Sequence, residues 1–559
     1  VRDGGATPLT LETHSAMVRV ARSIATALAA AAVLLPPAAG TAAASPQGRA
    51  ARQASALVTP RRIDVRLELH PDVPVALIEC ALTFVPQERI DSVTLSLRSD
   101  VNLDAVEDTD GVPLVYRRRR SSVQVMTPPL ESGAETTWTF RYRARFDATL
   151  EESGQMLLTT PWYPHFLVQR TPGEFQRFVP MAMSVTATLP PPWVLVSAGT
   201  DSQHHNDDGT FTYTWRDSVP STQIPLAVAP FARREERTEM GTLRGFFPPE
   251  YASLIDTYVD YMGEAAAFFS ERIGPLNRRS WNLVAMNLPE NISGVTYPGV
   301  TFLEAENLDP DAAFPYRVLA HEIAHHWWNH FIEIPRPRDA WLREGLPTYS
   351  ALLFLESQYG NQMMRLELER SRRVALAVDT DEALDMGFEM STQEAIYAFN
   401  YHKATMVLHM LREVIGLDGF MQLCRELHDY RKDVTTEVFQ RLAEEVYGDD
   451  LSWFFAAWLH SPDVPSFDVR YGYRQAGNAS RYELYGTITQ RDANIRYPVR
   501  LRIPLEAAPP LETTVWVEPG TAEFRIVLPS PPRDLLFDPD GDLLYREASV
   551  EPIVAGGGG

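Results

Sequence analysis

His321-Glu322-Ile323-Ala324-His325 is the stretch of this chain whose residue types and spacing could do chemistry. Positions i and i+4 of a helix share one face, so both imidazoles can reach a single ion. Glu322 stands beside that face and can take a proton from a water that the ion activates. A zinc ion that works catalytically takes three protein ligands and keeps a fourth position open. Glu344, in Trp341-Leu342-Arg343-Glu344-Gly345, is the candidate third ligand. Two His and one carboxylate predict one Zn²⁺ per chain and hydrolysis by an activated water. His326 and His330 fall off the His321/His325 face, and the spacing predicts surface or supporting roles for them.

These residues need a helix, and the sequence supplies one. Asp311 can cap it, and Val318, Leu319, Ile323 and Trp327 can form its apolar side. Helical periodicity runs from about 236 to 462, with helices expected over 251–269, 318–331, 349–366, 404–415 and 438–446. Before it, from about 61 to 235, the period is two. Residues 63–69, 138–142, 183–187 and 211–215 alternate strictly, and Pro, Gly and Asp turns between them predict an antiparallel β domain. The arginines at 117–120 read as a solvated hairpin edge. After Pro462 and Pro465 the strand period returns over 481–488, 499–503, 513–517 and 524–528, a smaller β domain. Asp538-Pro539-Asp540-Gly541 reads as a turn and lacks the further ligands of a calcium loop. The expected division is therefore 45–235, 236–465 and 466–550, with a loose tail at 551–559.

Composition narrows the function classes. With 559 residues and 45% hydrophobic content, the chain can bury sizeable cores without a disulfide scaffold. The net charge of −22 argues against a nucleic-acid binder, which carries a basic face. Cys80 and Cys424 form no metal-binding spacing and read as buried apolar residues. Lys403 and Lys432 are the only lysines, which reads as coding bias. Residues 17–44 read as a secretory signal peptide. Arg19 and Arg22 precede an apolar run over 24–35, Pro36-Pro37 breaks it, and Ala42-Ala43-Ala44 offers a cleavage site. Residues 1–16 read as lying upstream of a start at Met17, so 1–44 stands outside the mature protein. Export to the periplasm or the medium is expected, with no membrane span in the mature chain.

The sequence resembles the aminopeptidase N-like gluzincin metallopeptidases, a family that includes leukotriene A hydrolase. That family has H-E-x-x-H, eighteen residues and then Glu in W-L-x-E-G; here residues 326–343 separate His325 from Glu344. Its aromatic pair after the second His is matched by Trp327-Trp328. The resemblance implies an α+β multidomain protein: an N-terminal antiparallel β domain, a thermolysin-like, mainly helical zincin catalytic domain and a C-terminal β-sandwich. It implies peptide substrates and aminopeptidase-type cleavage. It also implies a tyrosine that hydrogen-bonds the developing oxyanion, matched by Tyr401-His402-Lys403-Ala404, with Tyr397 as runner-up. The family's G-x-M-E-N strand, whose Glu binds the substrate's α-amine, is matched by Gly294-Val295-Thr296-Tyr297-Pro298. Gly294, Thr296 and Tyr297 thus become substrate-binding candidates, with Thr296 where the Glu would be and Glu290 nearby. That departure leaves two alternatives, an endopeptidase of altered specificity and a non-catalytic binding relative. Retention of His321, Glu322, His325, Glu344 and Tyr401 speaks against the second.

Overall fold

A computed structural model describes residues 57–553, apart from 160, 169–171, 310–312, 477–480 and 494. The signal-peptide reading of 17–44 and the Asp311 cap lie outside the described residues. The chain divides into two compact units, one formed by 57–270 with 275–330, the other by 271–274 with 331–553. Among the described residues no helix is long and apolar enough to cross a membrane.

The first unit is built on β structure. A seven-stranded sheet includes Val58–Glu68, Val75–Pro86, Thr136–Arg145, Met181–Leu189 and Phe211–Ser221, mostly in antiparallel register. One pair, Val58–Glu68 with Met181–Leu189, runs parallel. The alternation seen at 63–69 is that of a sheet with one face on the core: Ile63, Val65 and Leu67 are buried. Val115–Arg119 pairs with Ser122–Leu130, placing the arginine run on a hairpin with Arg117 and Arg119 exposed. Cys80 is buried, and burial pushes its thiol up to about 12.

Strands continue past the expected boundary at 235. Ala232–Thr238 straddles it and pairs with Gly241–Phe247 in a five-stranded sheet that includes Ser280–Met286, Val300–Glu304 and Gly294–Tyr297. The helix Ile255–Arg272 connects two parallel strands of this sheet. One hydrophobic core extends from Val58 through Phe246 and Val284 to Phe302. The helix expected over 251–269 is present as Ile255–Arg272, whereas the helical reading of 241–247 and 280–304 is corrected to strands. All seven residues of Ser280–Met286 are buried, and a strand buried on both faces shows no alternation.

In the second unit, helices Ala340–Tyr359, Asn361–Ala377, Ala404–Ile415, Leu417–Tyr430 and Thr436–Tyr447 precede two sheets. Ser466–Gln475, Tyr482–Arg491, Thr521–Leu528 and Ala548–Pro552 form one; Leu511–Val517, Tyr497–Ile503 and Leu536–Phe537 form the other. Phe467 and Phe537, one from each sheet, meet at 5.1 Å between ring centroids, as in a sandwich.

The turn at 538–541 is stabilised by protein groups. Asp538, at φ 43°, accepts the backbone N–H groups of Asp542 and Leu543. Asp540 is paired with Arg365, Arg500 and Arg502. Burial, reinforced by Asp542, raises the Asp538 carboxyl to about 7. A carboxyl raised in the folded state contributes stability fully present below its unfolded value near 4 and lost as pH rises through its folded value. Asp538→Asn removes that titration. The melting-temperature difference, variant minus wild type, should become more positive from pH 5 to pH 8; a flat difference would show that Asp538 ionises without penalty.

Candidate metal centre

The first unit carries the histidines. The helix Ala313–Ala324 packs on the strand Gly294–Tyr297, with Leu319, Ala320, Ile323 and Ala324 fully buried. It ends sooner than the periodicity over 318–331 predicts. His326 and Trp327 donate their N–H groups three residues back, to Ile323 and Ala324, and Asn329 adopts φ 89°. A left-handed residue after a tightened last turn closes a helix. Trp327 then stacks on Trp281 and meets Phe269 edge-on, so the aromatic pair after the second His is core.

His325 still donates its backbone N–H to His321, which keeps the i, i+4 geometry at the helix end. The two Nε2 atoms face each other at 3.0 Å. Two nitrogens each ~2.0–2.1 Å from one tetrahedral ion would lie roughly 3.3 Å apart, so the pair fits zinc. The outer nitrogen of His325 is held by the Trp328 carbonyl at 3.3 Å and the Asn329 side chain at 2.8 Å. With Nδ1–H donating to the Trp328 carbonyl, the Nε2 lone pair is left for a metal.

Glu322 is buried between these histidines. A Cβ built on Gly294 would come within 2.8 Å of Glu322 Cγ, so only glycine lets the strand approach the carboxylate this closely. The Thr296 hydroxyl lies 2.9 Å from both Glu322 Oε2 and the Glu322 carbonyl oxygen. Tyr297 is buried, and its phenol is pushed up to about 12 by burial. Gly294, Thr296 and Tyr297, read from the sequence as substrate-binding, thus lie on the strand against Glu322. Glu290 is exposed in the turn before that strand. His326 is buried, not on the surface; burial holds it well below the ordinary histidine range. His330 Nε2 lies 2.9 Å from the Thr296 carbonyl.

The second unit carries Glu344 and Tyr401. Glu344 is buried in the second turn of Ala340–Tyr359. That helix start is fixed by the fully buried Asp339, which accepts from Arg336 Nη2 at 2.8 Å and from the Thr436 hydroxyl at 2.7 Å. Trp341 Nε1 donates to the same Thr436 oxygen. Tyr401 lies in a π-helical turn, Ala398–Lys403, which runs directly into Ala404–Ile415. Such turns widen a helix locally and are frequent at functional sites. The Thr405 hydroxyl donates to the Tyr401 carbonyl at 2.6 Å, satisfying one of the loosened backbone groups. The Tyr397 and Tyr401 ring centroids lie 5.3 Å apart with the planes tilted by 31°, so the two side chains are neighbours. Lys403 is buried over the Phe399 ring, and burial lowers its amine to about 8.

A second group that could attract a cation, His409, Glu413 and Asp542, lies wholly within the second unit. Arg500 already sits there, 2.6 Å from Glu413 and 3.0 Å from Asp542, and supplies the positive charge. This group ties the helix Ala404–Ile415 to the C-terminal sheets.

A strand-supported helix thus bears two converging imidazoles beside a buried carboxylate, a set that can hold a metal ion and accept a proton. Residues 279–458 match the peptidase family M1 domain. Among relatives, aminopeptidase M1-C of rice is 25% identical over 191 residues, 32% of this chain and 22% of that protein. Leukotriene A-4 hydrolase of Xenopus laevis is 22% identical over 299 residues, 50% of this chain and 48% of that protein. The chain therefore spans less than half the length of these two relatives. The fold is shared with aminopeptidase A of Legionella pneumophila, solved with aspartic acid, at TM-score 0.66 and 17% identity, over 88% of this chain and 59% of that one. An M1 zinc metallopeptidase of Deinococcus radiodurans aligns at TM-score 0.56 and 20% identity, over 72% of this chain and 94% of that one.

Proposed function

We propose that this protein is a zinc-dependent peptidase that cleaves peptides in the manner of an aminopeptidase. The observation that carries the proposal is the pair of Nε2 atoms 3.0 Å apart beside the buried Glu322, inside an M1 domain. His321, His325 and Glu344 would hold the ion. The Glu344 assignment is supported by its spacing and by its W-L-R-E-G setting. Zinc, when bound, supplies a Lewis acid that polarises the scissile carbonyl and lowers the pKa of water toward ~7. Glu322 takes the proton from the attacking water and delivers it to the leaving amine. The Tyr401 hydroxyl donates to the oxygen that gains negative charge. The Ala-rich segment at 17–44 with its flanking arginines supports export, to the periplasm or the medium, as part of the same proposal.

Thr296 favours a second reading of the specificity. An α-ammonium buried in a cleft needs a carboxylate partner, and the position expected to supply one holds a hydroxyl that already faces Glu322. A peptide library, with free and acetylated N-termini, digested by the protein with and without zinc tests both readings. Release of single residues from free N-termini supports aminopeptidase action through another carboxylate, with Glu290 the first to mutate. Equal cleavage of acetylated peptides supports endopeptidase action. No zinc-dependent cleavage of any peptide overturns both.

Tyr401→Phe should fold, hold zinc and lose ~100–1,000-fold in turnover, because only the hydroxyl that serves the oxyanion is removed. Near-wild-type turnover in this variant would assign Tyr401 to packing and move the role to its neighbour Tyr397.

A further inference from the structure

The hairpin beside the helix Ala313–Ala324, formed by Gly294–Tyr297 and Val300–Glu304, is joined by a Pro-Gly turn. Pro298 presets φ for the first central position, and Gly299, at φ 86°, takes the left-handed second one. That turn sets the register in which Thr296 stands opposite Thr301. The two hydroxyls meet at 3.1 Å. Thr301 in turn lies 3.4 Å from His326 Nε2, and Thr296 lies 2.9 Å from Glu322 Oε2. All four side chains are buried. The hydroxyls therefore have protein partners on both sides.

We propose that Thr296, braced by Thr301, is a positioning residue that fixes the Glu322 carboxylate in the orientation its proton transfers need. This rests on the peptidase reading above and gives position 296 a different task from anchoring the substrate's amine. Each hydroxyl has one proton to donate. When Thr301 donates to Thr296, Thr296 keeps its own proton for Glu322, and the chain of donors runs one way, from the hairpin into the base. An anchored Oε2 fixes the rotation of the carboxylate and so the direction in which Oε1 points. Gly294 serves the same end, because any side chain there would displace the carboxylate's stem. The competing use of the hydroxyl is the Glu322 backbone carbonyl, also at 2.9 Å. A hydroxyl spent there would brace the helix end and leave the carboxylate untouched.

The zinc-loaded Thr296→Val variant separates these uses, since it keeps the shape and removes the donor. Turnover should fall ~10–100-fold, the worth of a hydrogen bond to a charged group, with KM and zinc content within about twofold of wild type. Thr296→Ser should restore turnover, and Thr301→Val should cause a smaller fall. Crystal structures of zinc-loaded wild type and Thr296→Val should show the Glu322 carboxylate rotated in the variant. If Val is not tolerated, Thr296→Ala gives the same readouts. Unchanged kcat with a lowered melting temperature overturns the proposal in favour of helix bracing. A rise in KM confined to peptides with free N-termini overturns it in favour of an amine site. A wild type that binds zinc and cleaves no peptide fails the peptidase reading instead, which distinguishes the two failures.

Discussion

Glu322→Gln is expected to keep stoichiometric zinc and lose turnover by ~10²–10⁴-fold, the contribution typical of a positioned general base. The amide is nearly isosteric with the carboxylate, so the close approach of Gly294 and the Thr296 contact can persist. The flanking His321 and His325 keep their backbone geometry, and the core side of the helix does not change. What the amide lacks is an oxygen basic enough to take a proton from water. Metal analysis beside steady-state kinetics checks both halves of the expectation. Retention of more than about a tenth of wild-type turnover would assign the base to another residue. Glu322→Ala is the poorer test, because it also leaves space against Gly294 and removes the acceptor for Thr296.

The elements legible in the sequence are those whose information is local. H-E-x-x-H needs one turn of helix, and the apolar positions Leu319 and Ile323 announce that turn; both are fully buried. Strands with one wet face, such as Val58–Glu68, print their burial as alternation. Ser280–Met286 was not legible, because a strand buried on both faces has no wet face to mark its period, and even its Ser280 and Asn282 are buried. The helix end at Ala324 was hidden by Trp327 and Trp328, which continue the apolar pattern after the backbone has turned away. The π turn that carries Tyr401 has no periodic signature, since it inserts a residue into a helix without changing composition. The link between Thr296 and Glu322 joins residues far apart in sequence. Its local signal was the Tyr-Pro-Gly turn, which could have placed the Thr pair across a hairpin, though nothing in the pattern says which helix that hairpin meets.

Metal binding carries the other large effect. Wild type should hold about one zinc per chain, and His321→Ala or Glu344→Ala should hold none at the same free zinc, because a two-ligand remnant binds weakly. The histidine half of this expectation rests on the facing Nε2 atoms and on the hydrogen bonds that turn the His325 ring. The Glu344 half rests on sequence spacing and tests the proposal more severely. Glu344 is buried in a helix whose first turn is tied down by Asp339, Thr436 and Trp341. Removing the carboxylate should therefore leave the helix in place while the metal is lost. Binding to the folded state alone raises stability in proportion to the logarithm of free zinc. A chelator should consequently lower the melting temperature of wild type and leave both variants unmoved. That comparison needs no substrate, so it reports on the ligands even if the specificity reading is wrong. A Glu344→Ala protein that retains stoichiometric zinc and its chelator response would place the third ligand on another side chain.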